Sequence, residues 1–254
     1  MTFAVSGDAY DRFMGRYSRE LAPVFADFGG VAAGQTALDV GCGSGVLTEE
    51  LVNRLGAANV GGVDPSPLLQ ACAERVPGAD LRAGAAEALP WPDDSFDAAL
   101  AQLVVHFMDD PVAGAGEMRR VVQPGGTVAA CTWDFGDGME LLRFFWQAAR
   151  AVVPGTAGEA SSFGTREQLD ELWRETGLDE VELKALEVAS RYEDFDELWS
   201  SFLLGVGPAG QYATGLDAEA QEAVRSEYHR LLGRPNGGFT LAARAWAVRG
   251  RVPA

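Results

Sequence analysis

Residues 38–45, LDVGCGSG, constrain the fold more than any other part of the 254-residue sequence. A run with the character of a buried strand carries an acid, Asp39, and then opens into glycines at positions 41, 43 and 45. Glycine lets the backbone turn sharply and lets another group approach the main chain closely. The next residues, SGVLTEELVNRLG, have helical periodicity and close on Gly56. Strand, glycine turn and helix in direct succession read as the first unit of a parallel sheet with crossover helices.

The alternation continues. NVGGVD (59–64) reads as a second strand and SPLLQACAERVPG (66–78) as a helix capped by Ser66, with Pro67 in its first turn. ADLRAG (79–84) is a third strand, and SFDAALAQLVV (95–105) holds a fourth. VAGAGEMRRVVQPGG (112–126) is a helix ending at Pro124 and two glycines, and TVAACTW (127–133) is a fifth strand. This order predicts an α/β, doubly wound, Rossmann-like parallel sheet with helices on both faces.

After DFGDG (134–138) the pattern changes to amphipathic helices, clearest in REQLDELWRETG (166–177) and AEAQEAVRSEYHRLLG (218–233). One strand, EVELKALEVA (180–189), interrupts them, and FTLAARAWAVRGRV (239–252) closes the chain with strand-like length. The expected organisation is one domain over 1–254. It has an N-terminal helical segment (1–34), a cofactor-binding core (35–135), a mainly helical insertion or cap (136–238) and a closing strand (239–254). The insertion, with Trp173, Trp199, Phe202 and Tyr212, is expected to roof the site. FLLGVGPAGQY (202–212) reads either as a lid or as an ordered turn.

Composition narrows the partners. The formal charge of −17 repels phosphate backbones and anionic membrane surfaces, so neither nucleic acid nor a membrane is expected as a partner. Cys42, Cys72 and Cys131 show no CxxC spacing, which argues against a disulfide framework or any metal site. The sequence has no apolar run of spanning length, and the first twenty residues lack a basic n-region and an apolar h-region. A cytoplasmic location is expected.

An open parallel sheet binds ligands beyond the carboxyl ends of its strands, and the glycine loop stands there. Asp64, at the end of the second strand, can accept both hydroxyls of a ribose; its bland reading is a turn or cap. In a dinucleotide-binding fingerprint Val46 would have to be glycine, and a phosphate-cradling loop would end in GK[ST]. A nucleoside-containing cofactor without a pyrophosphate fits better than either.

LDVGCGSG resembles the first motif of the class I S-adenosylmethionine-dependent methyltransferases. VGGVDPSPLLQACAERVPG, GAAEALPWPDDSFDAALAQLVVHFMDDP and EMRRVVQPGGTVAACTW match the same family in order. Together they resemble the small-molecule enzymes related to the ubiquinone and menaquinone C-methyltransferases. AYDRFMGRYSRELAP and AARAWAVRG look like flanks of one subgroup.

The resemblance implies a seven-stranded, mostly parallel sheet with the last strand antiparallel, and S-adenosylmethionine as cofactor. It places Asp39 near the methionine moiety, with pinning of the loop as the alternative role. Gly41, Cys42, Gly43 and Gly45 would pass under the cofactor. Asp64 would hold the ribose, and Pro65 and Leu69 would flank the adenine. Family members carry an acid where this chain has Ala85; Ala86 would offer its backbone N–H, and Glu87 or water could replace the acid. Gln102 would face the sulfonium. Tyr10, Arg16 and Tyr17 could close over the cofactor and touch substrate, or simply pack. His106 reads as a general base or as a packing residue; His229 reads as surface.

The expected function is transfer of a methyl group to O, N or C of a small organic acceptor by in-line displacement, for which alignment and exclusion of water suffice. A cofactor-binding member without turnover is the alternative, and a nicotinamide-dependent oxidoreductase a further one. The sequence identifies neither the acceptor nor the oligomeric state.

Overall fold

The computed structural model describes residues 11–158 and 165–254. Seven strands form one sheet: β1 (Ala37–Val40), β2 (Val60–Asp64), β3 (Asp80–Ala83), β4 (Phe96–Gln102), β5 (Val122–Trp133), β6 (Asp179–Tyr192) and β7 (Phe239–Arg251). Their order is β3-β2-β1-β4-β5-β7-β6. β1 pairs in parallel with β2 and β4, β4 with β5, and β5 runs antiparallel to β7. The expected mostly parallel sheet with an antiparallel closing strand is present.

Burial explains the order. Every residue of β1 and β2 is buried, as parallel strands covered on both faces require, whereas the edge strand β3 is half-exposed. Between them run α2 (Val46–Leu55) and α3 (Leu68–Arg75); α1 (Arg16–Phe28) precedes β1, and α4 (Pro111–Val121) joins β4 to β5. Gly56 closes α2 through its N–H to the Val52 carbonyl at 2.8 Å, with φ of 82°. The N-cap position of α3 is Pro67 and not the expected Ser66, which stands one residue earlier with its Oγ accepting from the Leu68 N–H at 3.3 Å. Asp110 caps α4, its Oδ1 accepting from Val112 and Ala113, ahead of Pro111 in the first turn.

The chain builds outward from β1 through β2 to β3, then returns to the other side of β1 for β4. The connections leaving β1 and β4 therefore diverge, and a crevice opens at their carboxyl ends. Among the described residues no helix is long and apolar enough to cross a membrane.

The chain separates into two compact units. One gathers 21–133, 163–186 and 245–254 and the other 1–20, 134–162 and 187–244, each over its described part. The first, the sheet unit, includes α6 (Arg166–Glu175), which the sequence places in the insertion. Trp173 on that helix is fully buried and donates its indole N–H to the Val128 carbonyl of β5 at 3.1 Å. It is thus a core residue of the sheet unit and not part of a roof. An amphipathic period identifies the helix but not the surface it covers.

The second, the helical unit, holds α5 (Glu140–Val152), α7 (Phe195–Phe202), α8 (Gly207–Gly215) and α9 (Ala218–Leu231). Phe145 and Phe202 stack at 4.4 Å between ring centroids, and Tyr228 meets Phe202 edge-on at 5.7 Å. Tyr228 also donates to the Leu141 carbonyl at 3.0 Å. Trp199 and Phe202 are buried core residues, and Tyr212 bonds Thr156 at 2.9 Å. The stretch 202–212 is largely the helix α8 and its entry turn.

Candidate functional site

The glycine loop leaves β1 and immediately ties to β2. The N–H groups of Gly41 and Cys42 both donate to the Val63 carbonyl, at 2.8 and 3.0 Å. Gly41, Gly43 and Gly45 all have left-handed φ, of 73°, 51° and 88°. At Gly41 a β-carbon would stand 2.5 Å from the Val104 side chain, so packing as well as backbone conformation demands glycine. At Gly43 a β-carbon would meet nothing within 4 Å. The loop is therefore packed from below at Gly41 and open above Gly43, the shape that a ligand lying on the backbone requires.

Two buried acids flank it. Asp64 is 8% exposed. Its Oδ2 accepts from the Gly43 N–H at 2.8 Å, and its Oδ1 from the N–H and hydroxyl of Ser66 at 2.8 and 2.5 Å. One carboxylate thus fixes both the glycine loop and the entry to α3. Asp39 is 1% exposed and accepts the Thr48 hydroxyl at 2.7 Å. Burial pushes its carboxyl up from 3.8 to about 7, a rise opposed by the Thr48 hydrogen bond and assisted by Cys72 and Asp64.

Cys42, Cys72 and Cys131 are buried free thiols. Cys42 packs with Cys72 and Val76, and its hydrogen bond to Cys72 together with burial pushes its thiol well up. It is inert filler here, not a nucleophile.

At the end of β4, Gln102 sits in register with Cys131. Leu103 then takes a left-handed φ of 63° while its N–H donates to the Cys131 carbonyl at 2.9 Å. A buried leucine in that conformation is strained, and the strand connections around it hold it there. His106 follows in a short helical turn, its Nδ1 3.5 Å from the Thr132 hydroxyl. Burial lowers it to about 4, so the imidazole is neutral near pH 7. A base that weak traps protons poorly at neutral pH.

Pro65 and Ala85 are exposed, Leu69 is half-buried and Ala86 is buried. Glu87 is occupied elsewhere: its Oε1 accepts from the Asp109 and Asp110 N–H groups at 2.9 and 3.2 Å.

Of the N-terminal candidates, Tyr10 lies outside the described residues. Arg16 pairs with Glu197 at 2.9 Å and covers the Tyr192 ring, while Tyr17 is fully buried with its hydroxyl 3.2 Å from that of Tyr192. These contacts lie within the helical unit. His229, expected on the surface, bonds the Pro235 carbonyl at 3.2 Å and lies against Phe195.

Sequence reading missed Thr48 and Leu103. The signal for Thr48 was present: a hydroxyl-bearing residue falls on the buried face of α2, among Leu47, Leu51 and Leu55. Leu103 carried no signal, because nothing in a leucine announces a positive φ.

Comparison with known proteins agrees with this geometry. Residues 38–130 match the family model described as a methyltransferase domain. A ubiquinone biosynthesis O-methyltransferase of Cereibacter sphaeroides is 34% identical over 161 residues, 60% of this chain and 64% of that protein. An uncharacterised protein of Mycobacterium tuberculosis is 32% identical over 146 residues, 54% of this chain and 53% of its own. The chain thus spans about half the length of that curated relative. Among solved structures, a phosphoethanolamine N-methyltransferase of Haemonchus contortus in complex with S-adenosyl-L-methionine shares the fold. It has a TM-score of 0.58 and 18% identity, covering 97% of this chain and 56% of that one. Motif order and sheet order agree with that match: residues 38–130 are similar to the methyltransferase domain, within a fold that the solved methyltransferase structure shares.

Proposed function

We propose that the protein binds S-adenosylmethionine and transfers its methyl group to O, N or C of a small organic molecule. The observation that carries this reading is the contact between Asp64 and the Gly43 N–H, which unites the acid and the glycine loop at the sheet's switch point. The open space above Gly43 and two carboxylates at neighbouring strand ends fit an adenosyl amino acid. Relatives named as methyltransferases, one of them solved with the cofactor, support the same reading.

When bound, the sulfonium supplies an activated methyl group and a neutral leaving group. The chain's residues then have to bind, align and exclude water. Asp64 accepts the ribose hydroxyls while keeping its bonds to Gly43 and Ser66. Asp39 faces the amino-acid end. Gly41, Cys42, Gly43 and Gly45 lie under the cofactor, Pro65 and Leu69 beside the adenine, and Ala85 and Ala86 along its edge. Since Glu87 is held at the entry to α4, the amine of the base is left to water beside Ala85. Gln102 faces the reacting centre, and neutral His106 lines its mouth without acting as the base.

The charge of −17 supports a small molecule over a nucleic acid or an anionic membrane as partner, and three buried reduced cysteines suit the cytoplasm.

Calorimetric titration with S-adenosylmethionine, S-adenosylhomocysteine and NAD tests the cofactor. The sulfonium pair should bind, NAD should not, and Asp64→Ala should weaken binding about 100-fold through loss of charge-assisted hydrogen bonds. A preference for NAD overturns the reading. Methyl transfer to a panel of small hydroxyl, amine and activated-carbon acceptors then tests turnover.

A further inference from the structure

Beneath the glycine loop lies a chain of buried hydrogen bonds drawn from three separate elements. Cys42, in the loop, packs against Cys72 on α3. Cys72 donates to the Thr48 hydroxyl on α2, Sγ to Oγ1 at 3.5 Å. Thr48 donates to Asp39 Oδ2 on β1 at 2.7 Å. All four residues are buried, Cys72 and Thr48 completely.

The chain has one sense. A carboxylate only accepts, so the Thr48 proton points at ionised Asp39, and the hydroxyl oxygen is left to accept from Cys72. The Thr48 hydroxyl favours the ionised form of Asp39, against the desolvation and the nearby Cys72 and Asp64 that favour the neutral acid.

We propose that Thr48 is a positioning residue for the amino-acid end of the cofactor, its hydroxyl holding the Asp39 carboxylate charged and in place beneath the glycine loop. This rests on the cofactor assignment above and deepens it. The groups facing Asp39 are Thr48 from α2, Cys72 from α3, Asp64 from the end of β2, Cys42 from the loop and Cys131 from β5. Arg75 acts on Cys72 from the same helix, α3. Burial, Cys72 and Asp64 oppose the charge, so without the Thr48 hydroxyl the balance at Asp39 moves toward the neutral acid. The backbone N–H of Thr48, which also favours the charged form, survives substitution.

The experiment compares two ligands on three proteins. S-Adenosylhomocysteine carries the ammonium; 5′-methylthioadenosine keeps the adenosine and lacks the amino-acid end. Binding is measured by calorimetry from about pH 6 to about pH 9 for wild type, Thr48→Val and Thr48→Ser. Thr48→Val should bind S-adenosylhomocysteine about tenfold more weakly near pH 6, converge on wild type at high pH, and bind methylthioadenosine unchanged. Thr48→Ser should restore the wild-type profile. Titration of the ligand's own amine cancels in the ratio of variant to wild type.

Equal losses for both ligands, or no loss for either, overturn the positioning role while leaving the cofactor assignment intact. Failure of wild type to bind either ligand overturns the cofactor assignment itself. Should Thr48→Val not fold, the carboxyl ¹³C titration of Asp39 in ligand-free Thr48→Ala serves instead. The midpoint should rise by about half a unit, and an unmoved midpoint refutes the chain.

Discussion

At the carboxyl ends of β1 and β2 the sheet unit buries two acids, Asp39 and Asp64, while the helical unit buries three tyrosines, Tyr17, Tyr192 and Tyr228. The tyrosines present apolar rings to Phe145, Phe195 and Phe239 and place each hydroxyl on a partner inside the unit. Such groups add packing area and satisfy their own polarity. Asp39 adds little packing area and resists ionisation. A fold tolerates that cost where the charge meets a ligand. Polarity that strains the fold is thus concentrated at the carboxyl ends of β1 and β2, and polarity in the helical unit strengthens it.

The comparison breaks most visibly at Phe202. Its ring lies among Phe13, Phe145, Trp199 and Tyr228 with no exposed surface. Phe202→Ala should cost about 3–5 kcal/mol, from lost burial and the cavity left behind. Urea unfolding monitored by tryptophan fluorescence measures it. A cost below about 1 kcal/mol would mean that the aromatic cluster is not the core of the helical unit.

Asp39→Asn should act with the opposite sign. The folded carboxyl is raised from 3.8 to about 7, chiefly by burial. The unfolded chain releases this proton first, so the native state binds more protons between about pH 4 and pH 7. Stability from this group is complete below about pH 4 and is lost as pH rises toward 7. Asparagine has no such titration and still accepts the Thr48 hydroxyl. The variant should therefore gain about 4 kcal/mol over wild type at pH 8, with no gain near pH 4, while losing affinity for the cofactor. Urea unfolding of both proteins across that range checks it. A variant less stable than wild type at pH 8 would make Asp39 a structural group.

The same contrast explains what the sequence disclosed. The loop is legible because its constraints fall on neighbouring residues: Gly41 needs both a left-handed φ and room beside Val104, and only glycine meets both. Asp64 is legible from its place after VGGV, a run apolar enough for a fully buried strand. Thr48 is only half legible: a hydroxyl on the buried face of α2 marks it, but the acid it bonds lies on another element. Taken alone, it is an ordinary helix residue. Trp173 is misplaced by the sequence because helical periodicity shows that a face is apolar without showing what covers it. β6 shows the same limit: the sequence marks 180–189, and pairing extends it to Asp179–Tyr192. In the helical unit the residues that matter are aromatic, and aromatic spacing has the same appearance in a core as in a binding wall.

Tyr17→Phe sharpens the helical side of the comparison with the smallest effect. The two phenol oxygens of Tyr17 and Tyr192 stand 3.2 Å apart in a buried setting, and burial drives the Tyr17 phenol well above its usual range. The hydroxyl is therefore neutral at every pH at which the protein is folded, and its removal deletes one neutral hydrogen bond. Arg16 lies over the Tyr192 ring and keeps that packing when the Tyr17 hydroxyl is removed. The loss should thus be near the lower end for a buried pair, about 0.5–1 kcal/mol, with no dependence on pH between about 5 and 9. Combining it with Tyr192→Phe isolates the pair: the double variant should lose less than the sum of the singles by about the same amount. A strictly additive cycle would show that the two hydroxyls are held by other partners and not by each other. The tyrosines would then be satisfied one by one, and the helical unit would contain no shared polar pair to set against the carboxylates at the ends of β1 and β2.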